Sequence, residues 1–542
     1  MAAKYDVIVI GGGPNGLTCS AYLAKARLRV LLLERKHELG GGLYTEDYGT
    51  PFRFNVHATY MMLGELMPPH RDLELDELGL RYIYPEVQAA FVHDTGTALV
   101  FYRDAERSVQ SVGQLSKPDA GAFRQMYEEF RVMTDDLIIP ATYEPPMSIG
   151  EQMELLNETD LGRRVAEISE MTPREIIESY GFADPRVSGA LLYLATMWGI
   201  HPDVGGVGFM VPLYITRMLN AALVKGGSHV LASAIYQRVI ENGGEIKEWS
   251  DVEAITMTSG TAKGVILADG TEFEADAVVS TLPPDQTFLR FVGREYLPSD
   301  LLAAVEGWEW DEWSLFTSHI GIKGEPPHYS AAEFNPDVNA ALITYLGVES
   351  PEDVLRHVEE IESGTLPTPL GGATCISYHD SLQATKGPFG PLHTLRWEGS
   401  APFDLAGQAW DDVKQEYGQR CFENWKRYAP NLNNAKVIRH FDFSPLDIQR
   451  RLVNMWRGSI KHGAYTSMQM GAFRPHEDCS SYRTPIPGLY VGGASTYPGG
   501  MITLGPGYNA AKVVAEDLGR EVWWSPPDYV LRAREQGYLP SE

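Results

Sequence analysis

The distribution of apolar residues predicts a strand, a helix and a second strand at the start of the chain. Residues 5–10 form the apolar run YDVIVI, which is typical of a fully buried parallel strand. From Pro14 onward apolar residues recur at helical spacing, and residues 28–33 (LRVLLL) read as the next buried strand. We therefore expect a parallel sheet with a helix packed against it.

The same periodicities predict further elements along the chain. Helical spacing predicts helices over residues 117–136, 172–180, 228–242, 410–429 and 501–519. Alternating or continuous apolar residues predict a hairpin over 89–102 and strands over 245–258, 263–268, 273–281, 314–323 and 487–493. Strands that follow helices in this way favour an α/β protein.

Three glycines directly after the first strand carry the first chemical signal. Gly11, Gly13 and Gly16 have the G-x-G-x-x-G spacing, which combines a tight turn, close approach to a pyrophosphate and close packing of helix on strand. Glu34 ends the second strand, near the position where an acidic residue binds ribose hydroxyls. The order of these signals predicts an adenine dinucleotide site, and a purely structural glycine turn is the alternative.

Two more glycine-rich segments extend this prediction from a dinucleotide to FAD. Residues 40–43 (GGGL) follow the acidic residue closely, which is expected where the chain passes beside the ribityl and pyrophosphate of a larger ligand. Residues 487–507 form a second strand-to-helix turn near the C-terminus. Amides at such a helix start stabilise the anionic side of a reduced flavin ring.

Composition limits the class of protein. The chain has 542 residues, which predicts more than one domain, and its formal net charge of −27 argues against nucleic acid as a partner. The four cysteines include no C-x-x-C pair, which argues against a disulfide scaffold, a zinc site and a dithiol centre. We expect a cytoplasmic protein that binds no metal.

Membrane contact is predicted only at the periphery. The N-terminus enters its first strand at once, which leaves no room for a signal peptide, and no apolar segment reaches the roughly 18 residues of a membrane span. Residues 187–225 are the most apolar region of the chain. They are interpreted as core, as the lining of an apolar substrate site, or as a shallow membrane contact.

Three parts of the sequence resemble the FAD-dependent family of phytoene desaturases, carotenoid isomerases and retinol saturases. They are VIVIGGGPNGLTCSAYLA with LLERKHELGGG, KGGSHVLASAI with ENGGEI and ADAVVST, and YRTPIPGLYVGGASTYPGGMITLGPGYNAA. The resemblance covers nearly the whole chain and implies an α/β amine-oxidase-like fold, in which a Rossmann-like FAD-binding domain is interleaved with an α+β substrate-binding domain. The domains implied are FAD-binding residues 1–75, 225–300 and 475–525, substrate-binding residues 76–224 and 301–474, and a C-terminal tail, 526–542.

The resemblance also implies which residues contact FAD. They are Gly11, Gly13, Pro14, Asn15, Gly16, Glu34, Arg35, Gly41, Gly42, Leu43, Val252, Gly493, Ala494, Gly500, Met501 and Ile502. The sequence departs from the family pattern at 281–284 and 499–502, so a carotenoid is not assumed to be the substrate.

The predicted reaction is dehydrogenation of a hydrophobic, isoprenoid-like small molecule, with hydride transfer to flavin N5 and reoxidation by oxygen or a quinone. The candidates for proton handling are His57, Tyr60, His462 and Tyr497. Each of these side chains also has a purely structural interpretation.

Three other functions stay open at this stage. The first is amine oxidation, for which Trp308, Trp310 and Trp313 would form an aromatic cage around a cation. The second is a redox-neutral isomerase or hydratase that needs reduced flavin. The third is an FAD-stabilised binding module without turnover. The sequence leaves the substrate, the electron acceptor and the oligomeric state undetermined.

Overall fold

Strands and helices alternate along the chain and build two separate sheets. The computed structural model describes residues 4–385 and 390–541. The strands are β1 (Lys4–Ile10), β2 (Val30–Leu33), β3 (Thr45–Glu46), β4 (Phe54–Asn55), β5 (Tyr60–Met61), β6 (Tyr82–Ile83), β7 (Val87–Val92), β8 (Ala98–Tyr102), β9 (Ala222–Val224), β10 (Glu245–Lys247), β11 (Val252–Thr258), β12 (Thr261–Leu267), β13 (Glu272–Ser280), β14 (Trp313–Lys323), β15 (Ile343–Leu346), β16 (Gly371–Cys375), β17 (Leu392–Pro402), β18 (Lys436–Phe443) and β19 (Leu489–Val491).

The α-helices lie between and after these strands. They are α1 (Pro14–Lys25), α2 (Pro68–Asp72), α3 (Ala105–Leu115), α4 (Lys117–Met133), α5 (Ile139–Thr142), α6 (Ile149–Glu158), α7 (Asp160–Glu170), α8 (Pro173–Glu178), α9 (Pro185–Thr196), α10 (Met210–Met218), α11 (His229–Glu241), α12 (Ser299–Glu306), α13 (Pro351–Glu362), α14 (Ile376–His379), α15 (Trp410–Tyr428), α16 (Pro445–Arg451), α17 (Gly505–Asp517) and α18 (Asp528–Glu535).

The first sheet has the parallel order β10-β2-β1-β13-β19, and β12 and β11 extend it as an antiparallel ribbon beside β13. Its central strand, β1, has no polar face because both faces of the strand are buried. Val7 and Val9 pack on one side in the core that includes residues of α1, α11 and α17. Ile8 and Ile10 pack on the other side, against the antiparallel ribbon. This explains why β1 reads as a continuous apolar run.

Two predicted elements of this region are wrong in detail. The predicted strand 245–258 is two strands, because the chain turns at residues 248–251 and Trp249 takes a positive φ of 54°. Its halves, β10 and β11, stand at opposite ends of the hydrogen-bonded strand order. The last predicted helix, 501–519, is α17, which begins at Gly505 and not near Met501, since the preceding residues form a strained turn.

The second sheet has the order β18-β14-β17-β16-β15-β7-β8, and only the pairing of β15 with β7 is parallel among its described strands. Helices α4, α9 and α10 bury one face of this sheet in a large apolar core. Helix α15 covers part of the other face through Trp410, Phe422 and Trp425. The predicted hairpin 89–102 is β7 and β8, which confirms that prediction.

The two sheets are interleaved along the chain. The first draws its strands from residues 4–33, 245–280 and 489–491, and the second from residues 87–102, 313–402 and 436–443. We retain the predicted domain limits as a proposal, except that residues 1–3, 386–389 and 542 lie outside the described part. Within the described residues, no helix is both long and apolar enough to cross a bilayer.

Candidate active site: a glycine-lined cleft and an apolar cavity

A cleft of about 1170 Å³ opens where β1 ends and α1 begins. Gly13 lines the cleft. A Cβ built there would meet no heavy atom within 4 Å, so a larger residue at this position would take up only space that is open to a ligand. Gly16 is different, because its Cβ would lie 1.9 Å from the carbonyl oxygen of Gly11. One glycine therefore leaves room for a ligand and the other allows the helix to contact the strand. The N-terminus of α1 directs free N–H groups into this space.

Glu34 closes one side of the cleft at the end of β2. Its carboxylate accepts a hydrogen bond from the amide of Gly12 and another from the amide of Lys36, both at 2.9 Å. Arg35 and Val252 line the cleft beside it. The acidic residue is thus held against the glycine turn, as expected for a group that binds a ribose.

The second glycine segment, residues 40–43, packs directly against the first, residues 11–16. Gly40 donates its amide hydrogen to the carbonyl oxygen of Gly12 at 2.8 Å. Gly41 has a φ of +53°, and a Cβ there would lie 3.1 Å from the Cα of Gly13. A side chain at position 41 would separate the two segments, so glycine is needed for close approach. Gly42 continues along the cleft, while Leu43 is fully buried behind it.

The third segment is a strained turn before α17. Met501, Ile502 and Leu504 have φ values of 68°, 55° and 60°. A left-handed conformation is unfavourable for large residues and most unfavourable for a β-branched one. Backbone strain of this kind concentrates at functional sites, where the surrounding structure enforces it. The amide of Gly500 is fixed by the hydroxyl of Tyr465, which accepts its hydrogen at 2.8 Å.

The residues of the cleft fit FAD. The cleft extends from Glu34 and Val252 at one end to Met501 and Ile502 at the other. Two buried nitrogens on its lining residues, Nδ1 of His462 and Nε of Arg451, have no partner among the described residues. Of the residues predicted to contact FAD, all line the cleft except Gly16, Leu43 and Gly493, which lie behind its wall.

A second cavity, of about 730 Å³, adjoins the cleft. The two spaces share Gly42 of the second glycine segment, Met501 and Ile502 of the strained turn, and also Met455 and Ile460. Half of the remaining lining residues are apolar, namely Val56, Ala58, Met62, Trp198, Leu315 and Ile448. A ligand in this cavity would therefore contact the end of the cleft that is formed by the strained turn.

Two of the four predicted proton-handling residues line this cavity. His57 contributes an Nε2 atom that is buried and has no partner among the described residues, and burial lowers the pKa of its imidazole to about 3, with Arg396 adding to this effect. The hydroxyl of Tyr60 lies 2.6 Å from Oγ1 of Thr374, and burial raises the pKa of this phenol. His57 is thus a neutral base at neutral pH.

The other two predicted residues lie elsewhere. His462 lines the cleft, and burial lowers its pKa to about 3, again with a contribution from a buried arginine, Arg474. Tyr497 lines neither space, and its hydroxyl donates to the carbonyl oxygen of Ala141 at 3.1 Å. The structure therefore brings His57 and Tyr60 together and leaves Tyr497 apart.

Sequence reasoning missed the polar pair Arg396 and Glu398, which lines the cavity from β17. The strand that carries them, β17, was not predicted from the sequence, although two residues that are two positions apart in a strand lie on one face. The apolar region 187–225 is mostly core, and Trp198 is its contribution to the cavity. Trp308 packs against Gly463 and donates its indole hydrogen to the carbonyl of His462.

Comparison with known proteins places this arrangement among flavoproteins. The sequence profile of the family described as flavin containing amine oxidoreductase matches residues 15–307. The chain is 43% identical over 543 residues, with 98% of each chain covered, to a limonene dehydrogenase subunit of Castellaniella defragrans. It is 24% identical to all-trans-zeta-carotene desaturase of Myxococcus xanthus, with 96% of this chain and 94% of the relative covered.

Among solved structures, an oxidoreductase from Methanosarcina mazei superimposes with a TM-score of 0.60 at 17% identity, over 94% of this chain and 99% of the other. A likeness at this level of identity concerns the fold alone. It confirms the expected α/β architecture, in which a dinucleotide-binding sheet is combined with a second sheet.

Proposed function

Because the chain belongs to the family of flavin-containing amine oxidoreductases, and is an FAD-dependent oxidoreductase, we propose that it dehydrogenates a hydrophobic, isoprenoid-like small molecule in the apolar cavity. One observation carries this proposal. The cavity shares Gly42, Met501 and Ile502 with the cleft as lining residues, so a substrate in it would lie beside the end of the cofactor site where we place the flavin ring. The names of both relatives, a limonene dehydrogenase subunit and a carotene desaturase, are consistent with such a substrate.

FAD supplies a two-electron acceptor that takes a hydride from a C–H bond of the substrate. The chain supplies the surroundings. The apolar wall excludes water, and the backbone of the strained turn would hold the ring beside the cavity. Loss of a second hydrogen as a proton from the neighbouring carbon completes a C=C bond. We assign that proton to the imidazole of His57, a residue of the cavity wall whose buried Nε2 has no hydrogen-bond partner among the described residues.

Amine oxidation is less consistent with this cavity. A substrate ammonium needs an uncompensated carboxylate or an aromatic cage. Glu398 is paired with Arg396 at 2.5 Å, so its charge is compensated. Trp308, one of the three predicted cage residues, is instead buried in packing contacts.

The partners of the reaction also form part of the proposal. The 43% identical relative is named as one subunit of its enzyme, and we propose that this chain likewise works together with a second chain. Flavin reoxidation is assigned to oxygen or a quinone. Light scattering of the chain purified alone and with its co-purifying proteins tests the assembly, and a chain that stays a fully active monomer contradicts it.

The decisive experiment is anaerobic titration of the purified FAD-loaded protein with a cyclic monoterpene hydrocarbon and, separately, with a primary amine of similar size. We expect the hydrocarbon to bleach the flavin absorbance and to yield a product two hydrogens lighter. Bleaching by the amine alone would support amine oxidation. A product of unchanged mass formed only after chemical reduction of the flavin would identify an isomerase.

A further inference from the structure

A buried ion pair forms one end of the apolar cavity. Arg396 and Glu398 stand two residues apart on β17 and both face the cavity. Arg396 is only 1% exposed. Its Nη1 donates to the carbonyl oxygen of Asn55 at 2.5 Å, and its Nη2 donates to the carbonyl oxygen of His57 at 3.0 Å. The guanidinium is therefore fixed by the same segment that carries His57.

The hydrogen bonds between the two side chains involve only one carboxylate oxygen of Glu398. Nε and Nη2 of Arg396 both donate to Oε2 of Glu398, at 3.2 and 2.5 Å. Among the described residues none donates to Oε1. The Glu398 side chain remains 16% exposed, and it lines the cavity. A charged acceptor in an apolar wall is costly when a ligand displaces its water without replacing the hydrogen bond.

This acceptor lies at the end of the cavity away from the cofactor cleft. Gly42, Met501 and Ile502 form the boundary with the cleft. Glu398 instead belongs to the wall that the cavity shares with a smaller pocket, whose further lining includes the phenol rings of Tyr193 and Tyr345. A molecule that fills the cavity thus has one end near the flavin and the other end near Oε1.

We propose that Glu398 Oε1 is a recognition site for a hydroxyl group at the far end of an otherwise apolar, isoprenoid-like substrate, and that Arg396 is its positioning residue. The inference rests on the proposed function, because it takes the cavity as the substrate site. A hydroxyl donates one hydrogen bond and adds no charge. An ammonium would add a positive charge to a pair that is already neutral, which is unfavourable in an apolar cavity.

Equilibrium dialysis of the FAD-loaded protein under anaerobic conditions tests this, with p-menthane, menthol and menthylamine as probes of one carbon skeleton. Menthol should bind at least about tenfold more tightly than either of the others, as expected for a hydrogen bond to a charged acceptor. In Glu398→Gln this preference should fall at least about threefold. In Arg124→Met, at an exposed arginine that lines neither the cavity nor the cleft, it should persist.

Equal binding of menthol and p-menthane, tightest binding of menthylamine, failure of all three to bind, or an unchanged preference in Glu398→Gln would overturn the inference. If Glu398→Gln does not fold, Glu398→Asp, which shortens the side chain by one methylene, takes its place. Anaerobic bleaching by a monoterpene is recorded in parallel. Bleaching without a preference for the alcohol rejects the hydroxyl site and keeps the proposed function. A preference for the alcohol without bleaching keeps the hydroxyl site and rejects the proposed function.

Discussion

The carbonyl oxygen of Ala494 accepts two hydrogen bonds from the guanidinium of Arg474, at 3.2 Å from Nε and 3.0 Å from Nη2. Arg474 is fully buried, and it also donates to the carbonyl oxygens of Lys461 and Gln469. Ala494 lines the cofactor cleft. One side chain thus connects the loop that carries His462 with the strand-to-helix segment at the far end of the cleft.

Arg474→Met should therefore lower both stability and FAD content. The substitution leaves several buried carbonyl oxygens without donors, which costs about 3 kcal/mol in the free energy of unfolding. The melting temperature and the ratio of flavin to protein absorbance measure the two effects. Arg124→Met is the matched control, because Arg124 is exposed and its ion pair is with the exposed Glu106, and it should change stability by less than about 0.5 kcal/mol. Equal effects of the two substitutions would contradict the connecting role of Arg474.

Two glycines of the first turn should respond differently to alanine. Gly13→Ala adds a methyl group that meets no protein atom within 4 Å, so the apoprotein should keep its stability while its affinity for FAD falls at least about tenfold. Gly16→Ala adds a methyl group 1.9 Å from the Gly11 carbonyl oxygen, so the apoprotein itself should be destabilised by about 2 kcal/mol or more.

Thermal unfolding of apoprotein and fluorescence titration with FAD separate these outcomes. Gly121→Ala, at an exposed position in α4 with no atom within 4 Å of the new Cβ, is the control. It should leave FAD affinity unchanged and raise stability slightly, because alanine has the higher helix propensity. Unchanged FAD affinity in Gly13→Ala would show that the cleft is not the pyrophosphate site.

The local elements of the cofactor site could be predicted from the sequence because each depends on neighbours in the chain. The order of strand, glycine turn, helix and acid at residues 5–34 is a local signal, and the structure contains each of these elements. The predicted strand 245–258 failed because the chain turns at residues 248–251, where the sequence has neither a glycine nor a proline. The strained φ of Ile502 also follows from tertiary contacts, since no local propensity favours it.

The cavity depends on long-range pairing and for that reason could not be read from the sequence. Arg396 contacts the backbone of Asn55 and His57, which lie more than 300 residues away in the chain. The sequence analysis predicted no strand at Arg396 and Glu398, and a predicted strand alone would not have identified the partner of their face. The family resemblance implied FAD contacts, and it said nothing of this pair.

Acid should destabilise the protein through its buried histidines. The pKa of His57 is lowered from 6.5 to about 3, so between these values the unfolded chain binds more protons than the folded chain. Stability therefore falls as the pH falls, and His57 alone accounts for a loss of about 2 kcal/mol at pH 5 relative to pH 7.

Urea unfolding of the native protein and of His57→Gln at both pH values measures this loss. The difference in unfolding free energy between pH 7 and pH 5 should be smaller in the variant by about that amount. An identical pH dependence in both proteins would mean that the imidazole is not buried in its neutral form. The cavity would then lack the neutral base that the proposed dehydrogenation uses.

A second buried ion pair supports the cavity wall. The ammonium of Lys461 lies 2.7 Å from a carboxylate oxygen of Asp311, and the two side chains are 1% and 4% exposed. The same ammonium donates to the carbonyl oxygens of Trp198 and Gly199 at 3.0 and 2.9 Å. Lys461 therefore holds the segment whose indole ring lines the cavity.

Removing one charge of this pair should lower the free energy of unfolding more than replacing both residues with apolar ones. Asp311→Leu leaves the Lys461 ammonium buried without a counter-charge, and Lys461→Met leaves the carboxylate in the same state. Each should cost about 3–5 kcal/mol, whereas Asp311→Leu with Lys461→Met removes both charges and should cost less than either single change. Urea unfolding measures these free energies. A double variant that loses the sum of the two single losses would show that the charges act independently, and the wall at Trp198 would then be held by packing alone.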